Sequence, residues 1–330
     1  VPAKAEITLN AVIAAVTEQV PRILTVRRVD PLSGEAEDGL PRGPLDPEVD
    51  RTLDLGLRRW VREQTGFDLG YVEQLYTFGD RNRDPRESRG GARIVSVAYL
   101  ALVREASVAP EARWLPWYDF FPWEDWRAGR PPLIDEAIAP ALDRWVAEAA
   151  SPALRRDRRE RADINFGLAG VGWYGERVLE RYELIYEAYL VPESWRDREA
   201  TGGAAEVRRP APAVPPPLLP GHPMALDHRR ILATALGRLR GKLKYRPVVF
   251  ELLPPAFTLL QLQTVVEALA GVGLHKQNFR RLVENAGLVE GTGEQDPQTG
   301  GRPAELFGFR REVLRERPAP GVGLPGVRRG

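Results

Sequence analysis

The chain has 330 residues, with 47 Lys and Arg against 46 Asp and Glu, a net charge of +1, and no cysteine. That length implies two or three domains, each able to bury a core, and the near-neutral balance confines any nucleic-acid-binding surface to a local patch. Without cysteine there is no disulfide framework and no thiolate metal site; the longest apolar runs are too short for a bilayer and no charged-then-apolar leader opens the chain, so a soluble cytoplasmic protein without a membrane partner is expected.

In chain order, Ile7 to Val16 and Arg22 to Arg28 are rich in β-branched and apolar residues and predict two strands joined by a short turn. Leu40-Pro41-Arg42-Gly43 then leads into a helix whose buried stripe is Leu53, Leu57 and Val61 and whose C′ residue is Gly66. Glu73 to Asp80 precedes a further strand, Arg93 to Val103, and this first region ends near Trp114-Leu115-Pro116-Trp117. The segment Arg59-Trp60-Val61-Arg62-Glu63-Gln64-Thr65-Gly66-Phe67 resembles the core of a Nudix box, R-E-(apolar)-x-E-E-x-G-(apolar), and Leu40 to Gly43 resembles the loop that enters it. In such a box three carboxylates at i, i+3 and i+4 share one helix face and hold the Mg²⁺ that polarises a pyrophosphate. Here Trp60 and Gln64 replace the first and third, Glu63 alone remains, and Arg59, Trp60, Glu63, Gln64 and Gly66 form a box without a metal site. The order of elements over residues 5 to 118 resembles the Nudix α/β sandwich.

A middle segment dense in tryptophan and charge follows. Helices are predicted at Ile134 to Ala149 and Gly175 to Ala188, and the arginine-dominated stretch Leu154 to Ala162 between them reads as a solvated helix face. Thr201 to Pro220, with Pro215-Pro216-Pro217, has the composition of a semi-rigid surface linker.

The last region begins with a basic block, His228 to Arg246, in which Arg229, Arg230, Arg238, Arg240, Lys242, Lys244 and Arg246 occur with no acid, so phosphate contact is expected from it. Thr258 caps a helix with the stripe Leu259, Leu262, Val265, Val266 and Leu269, and a glycine break precedes a second helix from Lys276 to Asn285. That helix keeps Phe279, Leu282 and Val283 for the core and displays Lys276, Gln277, Asn278, Arg280 and Arg281, side chains suited to phosphates and to base edges in a major groove. Leu288 to Thr292 and Ala304 to Phe309 alternate around Gly300-Gly301-Arg302-Pro303, so that helix, turn, helix and hairpin describe a winged helix-turn-helix with Arg302 at the wing tip.

Taken together, Glu73 to Asp80 with Arg83-Asp84-Pro85-Arg86, Val95 to Leu100, Ala225-Leu226-Asp227-His228, Arg240-Gly241-Lys242-Leu243, Asn278-Phe279-Arg280-Arg281 and Gly301-Arg302-Pro303-Ala304 resemble the Nudix-related transcriptional regulators of NAD metabolism, the NrtR family. The departure is a large central insertion, roughly Trp123 to Pro220. The expected organisation is an α+β chain: a Nudix-like α/β/α sandwich that senses the effector (1–122), a mainly helical insertion with its Pro-rich linker (123–220), and a joining helix with a winged helix-turn-helix (221–330). The resemblance implies a homodimeric repressor that binds a palindromic double-stranded operator before NAD biosynthesis or salvage genes. It also implies ADP-ribose or a related nucleotide as effector, with no cofactor and no metal. Effector contacts are assigned to arginines that match a pyrophosphate, Arg28, Arg42 and Arg59, and to Asp80, Arg83 and Arg86. Tyr76 and Phe78 either stack on an adenine or fill the sandwich core. Two other readings stand beside this one: an ADP-ribose pyrophosphatase of residual activity using Glu63 with Glu48, Asp50 or Asp54, and an interaction protein in which the insertion docks a partner. His222, His228 and His275 are too scattered for a metal, and His228 is assigned to support of the joining helix.

Overall fold

The computed structural model describes residues 5–29, 34, 36–81, 83–88, 90–200, 212, 215–297 and 303–322. β1 (Ala5–Thr17) and β2 (Val20–Val29) form an antiparallel hairpin, and Glu18 and Gln19 both take the positive φ that a two-residue turn demands. β3 (Ala36–Gly39) extends the sheet beyond β2, and β4 (Arg42–Pro44) pairs with the N-terminal half of β1. α1 (Leu53–Thr65) follows, then β5 (Tyr71–Phe78), the short α2 (Pro85–Ser88), β6 (Arg93–Leu102) and β7 (Ala112–Pro116). The sheet order is β3-β2-β1-β6-β5, with β7 beside β2; among the described strands only β1 and β6 pair in parallel.

Alternation along β1 divides the molecule. Leu9, Ala11, Ile13 and Ala15 meet Leu57 and Val61 of α1, whereas Val12 and Ala14 face the opposite layer. That second layer includes α7 (His228–Leu243), the helix grouped with the C-terminal part in the sequence reading; it packs on β1, β5 and β6 and completes the sandwich.

The middle segment carries α3 (Ala139–Ala147), α4 (Pro152–Phe166), α5 (Val178–Glu187) and α6 (Pro192–Ala200). Its buried Trp123 and Tyr182, with Trp117 and Phe121 just before it, share one core with α7 and with the helices that follow. The arginines of α4 are less solvated than their composition suggests, because Arg158 and Arg161 lie over the ring of Trp145 and Arg159 pairs with Asp143. Of the expected linker, 201–211 and 213–214 lie outside the described residues, while Leu219 is buried and donates its N–H to the Leu190 carbonyl.

α8 (Leu259–Ala270) and α9 (Lys276–Asn285) precede the wing strands β8 (Val289–Asp296) and β9 (Ala304–Phe309) and the short α10 (Val313–Glu316). The C-terminal carbonyls of α8 have no partner within the helix, and the middle segment and α7 supply them. The Tyr118 hydroxyl donates to the Ala268 carbonyl (2.7 Å), Arg240 Nε to that of Leu269 (3.2 Å) and the Trp126 N–H to that of Gly271 (2.7 Å). Arg240 is held in turn by the buried Glu124 carboxylate (2.5 Å), which also accepts two bonds from Arg181 (2.5 and 2.9 Å). A cation at that helix end is favoured by the helix dipole. Arg127 reaches back to the Gln19 carbonyl (2.5 Å) in the β1–β2 turn, so the end of α8 is tied to the sheet through side chains of the middle segment.

Candidate functional site

α1 starts where Thr52 caps the Leu55 N–H (3.2 Å) and stops at Gly66, whose φ of 74° is left-handed. With Leu57 and Val61 directed into the sheet, Trp60, Glu63 and Gln64 fall on the flank beside β4. The Trp60 indole lies against Gly43 so closely that a Cβ there would sit 2.0 Å from the ring, and its Nε1–H donates to the Pro44 carbonyl (2.7 Å). The glycine kept in the entry loop thus admits the indole that replaces a carboxylate. Gln64 Oε1 accepts from Arg28 Nη2 (2.9 Å) and the Arg42 N–H (3.2 Å), and its Nε2 donates to the Arg42 carbonyl (2.6 Å).

The remaining carboxylates are committed to arginines. Arg59 grips Asp50 through two bonds (3.0 and 2.8 Å) and approaches Glu63 at 3.5 Å, and Arg58 holds Asp54 (2.9 Å). Among the described residues no three acidic or histidine side chains converge as a metal site. The divalent ion of a Nudix box therefore does not fit these residues: a bulky indole, an amide bonded to an arginine and a single exposed carboxylate replace its hard oxygen ligands.

Basic charge gathers instead. Arg42 is pushed down to about 10, first by burial and then by the charge of Arg28, with Asp84 opposing and Arg86 and Arg83 adding to the shift; burial also lowers Arg28. Asp84 accepts two bonds from the Arg86 guanidinium (2.9 and 2.8 Å) and lies 3.9 Å from Arg42. Beside Arg42 in the β-ladder stands Asn10, fully buried, with both amide atoms lacking a partner among the described residues. A buried, unsatisfied amide next to a cluster of guanidiniums calls for a further polar group.

The six assigned effector residues thus divide. Arg28, Arg42 and Arg86 come together near Gln64 and Asp84. Arg83 is close but bound, donating to Asp227 in a buried bidentate pair (2.5 to 2.9 Å) and to Ser96 Oγ. Arg59 is turned to Asp50, and Asp80 is exposed with its carboxylate 3.6 Å from Arg230. Of the two aromatics, Phe78 is buried and Tyr76 is 61 % exposed.

Sequence reasoning assigned no role to Asn10 or Asp227 and gave His228 only a supporting one. Asp227 and His228 sit at the start of α7 and hold it to the loops of the sandwich: besides the Asp227–Arg83 pair, His228 Nδ1 accepts the Leu40 N–H (2.9 Å) across 188 residues of sequence. Burial, and then the charges of Arg42, Arg83, Arg28 and Arg196, keep His228 well below its ordinary pKa, in the neutral form that the acceptor role requires. The signal available was their place in a motif, with no local pattern to indicate a contact.

At the other end of the chain, α8 has a full capping box, Thr258 and Gln261 bonding reciprocally (3.1 and 2.7 Å). α9 buries Phe279 and Val283, while Lys276, Gln277, Asn278, Arg280 and Arg281 are all exposed; Arg280 pairs with Glu284 on the same face (2.8 Å). β8 and β9 form the wing, which is joined to the chain before α8 by reciprocal Phe257–Phe307 backbone bonds (3.0 and 2.8 Å). Arg302 lies outside the described residues.

The basic block of α7 is corrected by the structure. Arg229 is fully buried against Glu193, Arg230 pairs with Glu183, Arg240 with Glu124, Lys242 with Glu73 and Lys244 with Glu176. Acids remote in sequence neutralise these five cations, which serve internal packing, while Arg238 and Arg246 remain exposed.

Residues 249–309 match the NrtR DNA-binding winged helix domain. Over 93–94 % of its length the chain superposes on NrtR of Shewanella oneidensis, in a crystal structure complexed with a 27mer DNA (TM-score 0.54, 23 % identity, 95 % of that chain), and on a MutT/nudix family protein from Enterococcus faecalis (TM-score 0.53, 16 % identity, 87 % of that chain). Its C-terminal part is thus similar to the NrtR winged helix domain, and its overall fold is that of a Nudix-type sandwich joined to a winged helix. It is also similar to the ADPR responsive transcriptional repressor NtrR of Acinetobacter baylyi, 41 % identical over 86 residues, which are 26 % of this chain and 34 % of the relative. That match spans about a third of the curated relative. The α1–β4 flank lies in the Nudix-like fold, and α8, α9 and the wing lie in the matched winged helix domain.

Proposed function

We propose that this chain is a DNA-binding transcriptional regulator, acting as a repressor of NAD biosynthesis or salvage genes, whose Nudix-like sandwich senses ADP-ribose or a related nucleotide as effector and uses no cofactor. The observation that carries the reading is the division of α9: its two apolar anchors are buried, and five base- or phosphate-binding side chains remain exposed. As a homodimer it would present two such helices about 34 Å apart to a palindromic operator. The loss of hydrolysis is supported by Trp60 and Gln64 occupying the carboxylate positions, and effector binding by the Arg28, Arg42 and Arg86 cluster with the unsatisfied Asn10 amide. A pyrophosphate in that cluster competes with Asp227 for Arg83, and Asp227 begins the helix that carries Arg240 to the end of α8. Effector affinity then differs between two placements of the DNA-binding part, as an allosteric switch requires.

The test is a gel shift of the full chain on the DNA upstream of its own gene at physiological salt. Retardation well beyond that of random DNA, relieved by ADP-ribose, is expected; equal affinity for both DNAs would reject the regulator. Residual ADP-ribose pyrophosphatase activity is checked in the same preparation by AMP release with Mg²⁺, where no turnover above background is expected.

A further inference from the structure

A groove of about 1050 Å³ lies between the sandwich and the winged helix, lined by the start of β5, the segment after β6, the end of α7, residues 246–257 and the end of the wing. One wall is aromatic: Phe250 and Phe309 stack at 4.3 Å with an interplanar angle of 23°. Arg104, Lys242, Arg246 and Arg311 outnumber Glu73 and Glu251 in the lining, so its net charge is positive. Lys242, at its base, is bonded to Glu73 and to the Tyr71 hydroxyl (3.0 Å), and burial together with the neighbouring Arg246 charge lowers its pKa. Arg104, Arg246 and Arg311 are exposed on the rim, and among the described residues none of the three is ion-paired. Uncompensated guanidiniums that converge on a concave surface raise the local anion concentration, and their planar forks suit phosphate oxygens.

We propose that this groove is a second ligand site, separate from the Arg42 cluster, for a small phosphorylated molecule with a planar ring, of mononucleotide size. The anionic group meets Arg246 and Arg311 while the ring lies along the Phe250 and Phe309 wall. A volume near the upper end of ordinary small-molecule sites accommodates that class of ligand. Because its walls come from both the sandwich and the winged helix, occupancy depends on how the two are placed, and by linkage it biases DNA binding.

AMP is the probe, titrated calorimetrically into the full chain, with adenosine and inorganic phosphate as partial probes. AMP binding that survives Arg42→Ala and weakens by roughly tenfold to a hundredfold in the Arg246→Ala/Arg311→Ala double variant, as loss of charge-assisted bonds demands, is the expected result. Both partial probes should bind more weakly than AMP. No heat with AMP, equal affinity in the double variant, or loss in Arg42→Ala alone would overturn the proposal. It would equally be overturned if the double variant bound AMP normally but lost DNA affinity and salt dependence, since the arginines would then grip the DNA backbone. Failure here is distinct from failure of the effector reading, which is scored by ADP-ribose relief of DNA retardation.

Discussion

Asp227→Asn is the most informative single change. Both partners of the Asp227–Arg83 pair are almost inaccessible, their side chains 7 % and 5 % exposed, and three N–H···O contacts of 2.5 to 2.9 Å join them. Converting the carboxylate to an amide preserves volume but leaves the Arg83 guanidinium buried without its counter-ion. Removing one member of a buried pair costs about 3–5 kcal/mol, whereas replacing both by apolar groups of similar size is close to neutral. For a chain of this size that loss corresponds to a fall in melting temperature of roughly 6–15 °C. Thermal and urea denaturation of Asp227→Asn, Arg83→Met and the double variant Arg83→Met/Asp227→Leu measures it. The expected pattern is two strongly destabilised singles and a double that recovers most of the loss and binds DNA but no longer responds to ADP-ribose. A single variant within about 1 kcal/mol of the parent, or a double as unstable as the singles, would refute the argument that this pair joins the loop after β5 to α7.

Three other outcomes are expected. His228 is neutral in the folded chain, with its pKa held below that of the unfolded chain, about 6.5. Above that pH neither state is charged and stability is unaffected; below it the unfolded chain takes up a proton that the folded chain refuses, so stability declines by up to about 1.4 kcal/mol per pH unit until the native pKa is reached. Denaturation between pH 6.5 and 5.5 should show this slope, and His228→Gln should flatten it; an unchanged slope in the variant would point to another group. Arg280→Ala should weaken operator binding by about 1–3 kcal/mol, the scale of a base contact, with ADP-ribose affinity intact in calorimetry, and a matching loss of effector affinity would contradict the assignment of α9. The Trp60→Glu/Gln64→Glu variant should give no heat with Mg²⁺, because the Arg28 guanidinium 2.9 Å from the residue 64 side-chain oxygen neutralises the new carboxylate; Mg²⁺ binding without a further Arg28→Leu change would show that arginine to be dispensable.

Local pattern carried the Nudix-like strands, the box helix and the α8–α9 pair. The two-residue period of Leu9 to Ala15 and the spacing of Leu53, Leu57 and Val61 are written in consecutive residues, and so are the caps at Thr258 and Gly66. The exposed face of α9 was legible for the same reason: once Phe279 and Val283 are buried, 3.6 residues per turn place Lys276, Gln277, Asn278, Arg280 and Arg281 away from the core.

The charges of α7 obeyed no such rule. Seven cations without a nearby acid look free in sequence, yet five of them meet Glu73, Glu124, Glu176, Glu183 and Glu193, which come from distant segments. Composition likewise marked the middle segment as helical but gave no hint that Trp126 and Tyr118 would satisfy the carbonyls of α8.

The sequence by itself determined which stretches are helix or strand, which face of each is apolar and that Trp60 and Gln64 stand at two of the three carboxylate positions of the box-like segment, because those properties depend on neighbours within a few residues. Only the tertiary structure decided which cations are paired, that both side-chain amide atoms of Asn10 lack a partner among the described residues, and which side chains hold the loops of the sandwich to α7. Ion pairs and buried hydrogen bonds are formed between groups that the chain brings together from far apart, and the cost of leaving a buried charge alone, rather than any local propensity, selects them.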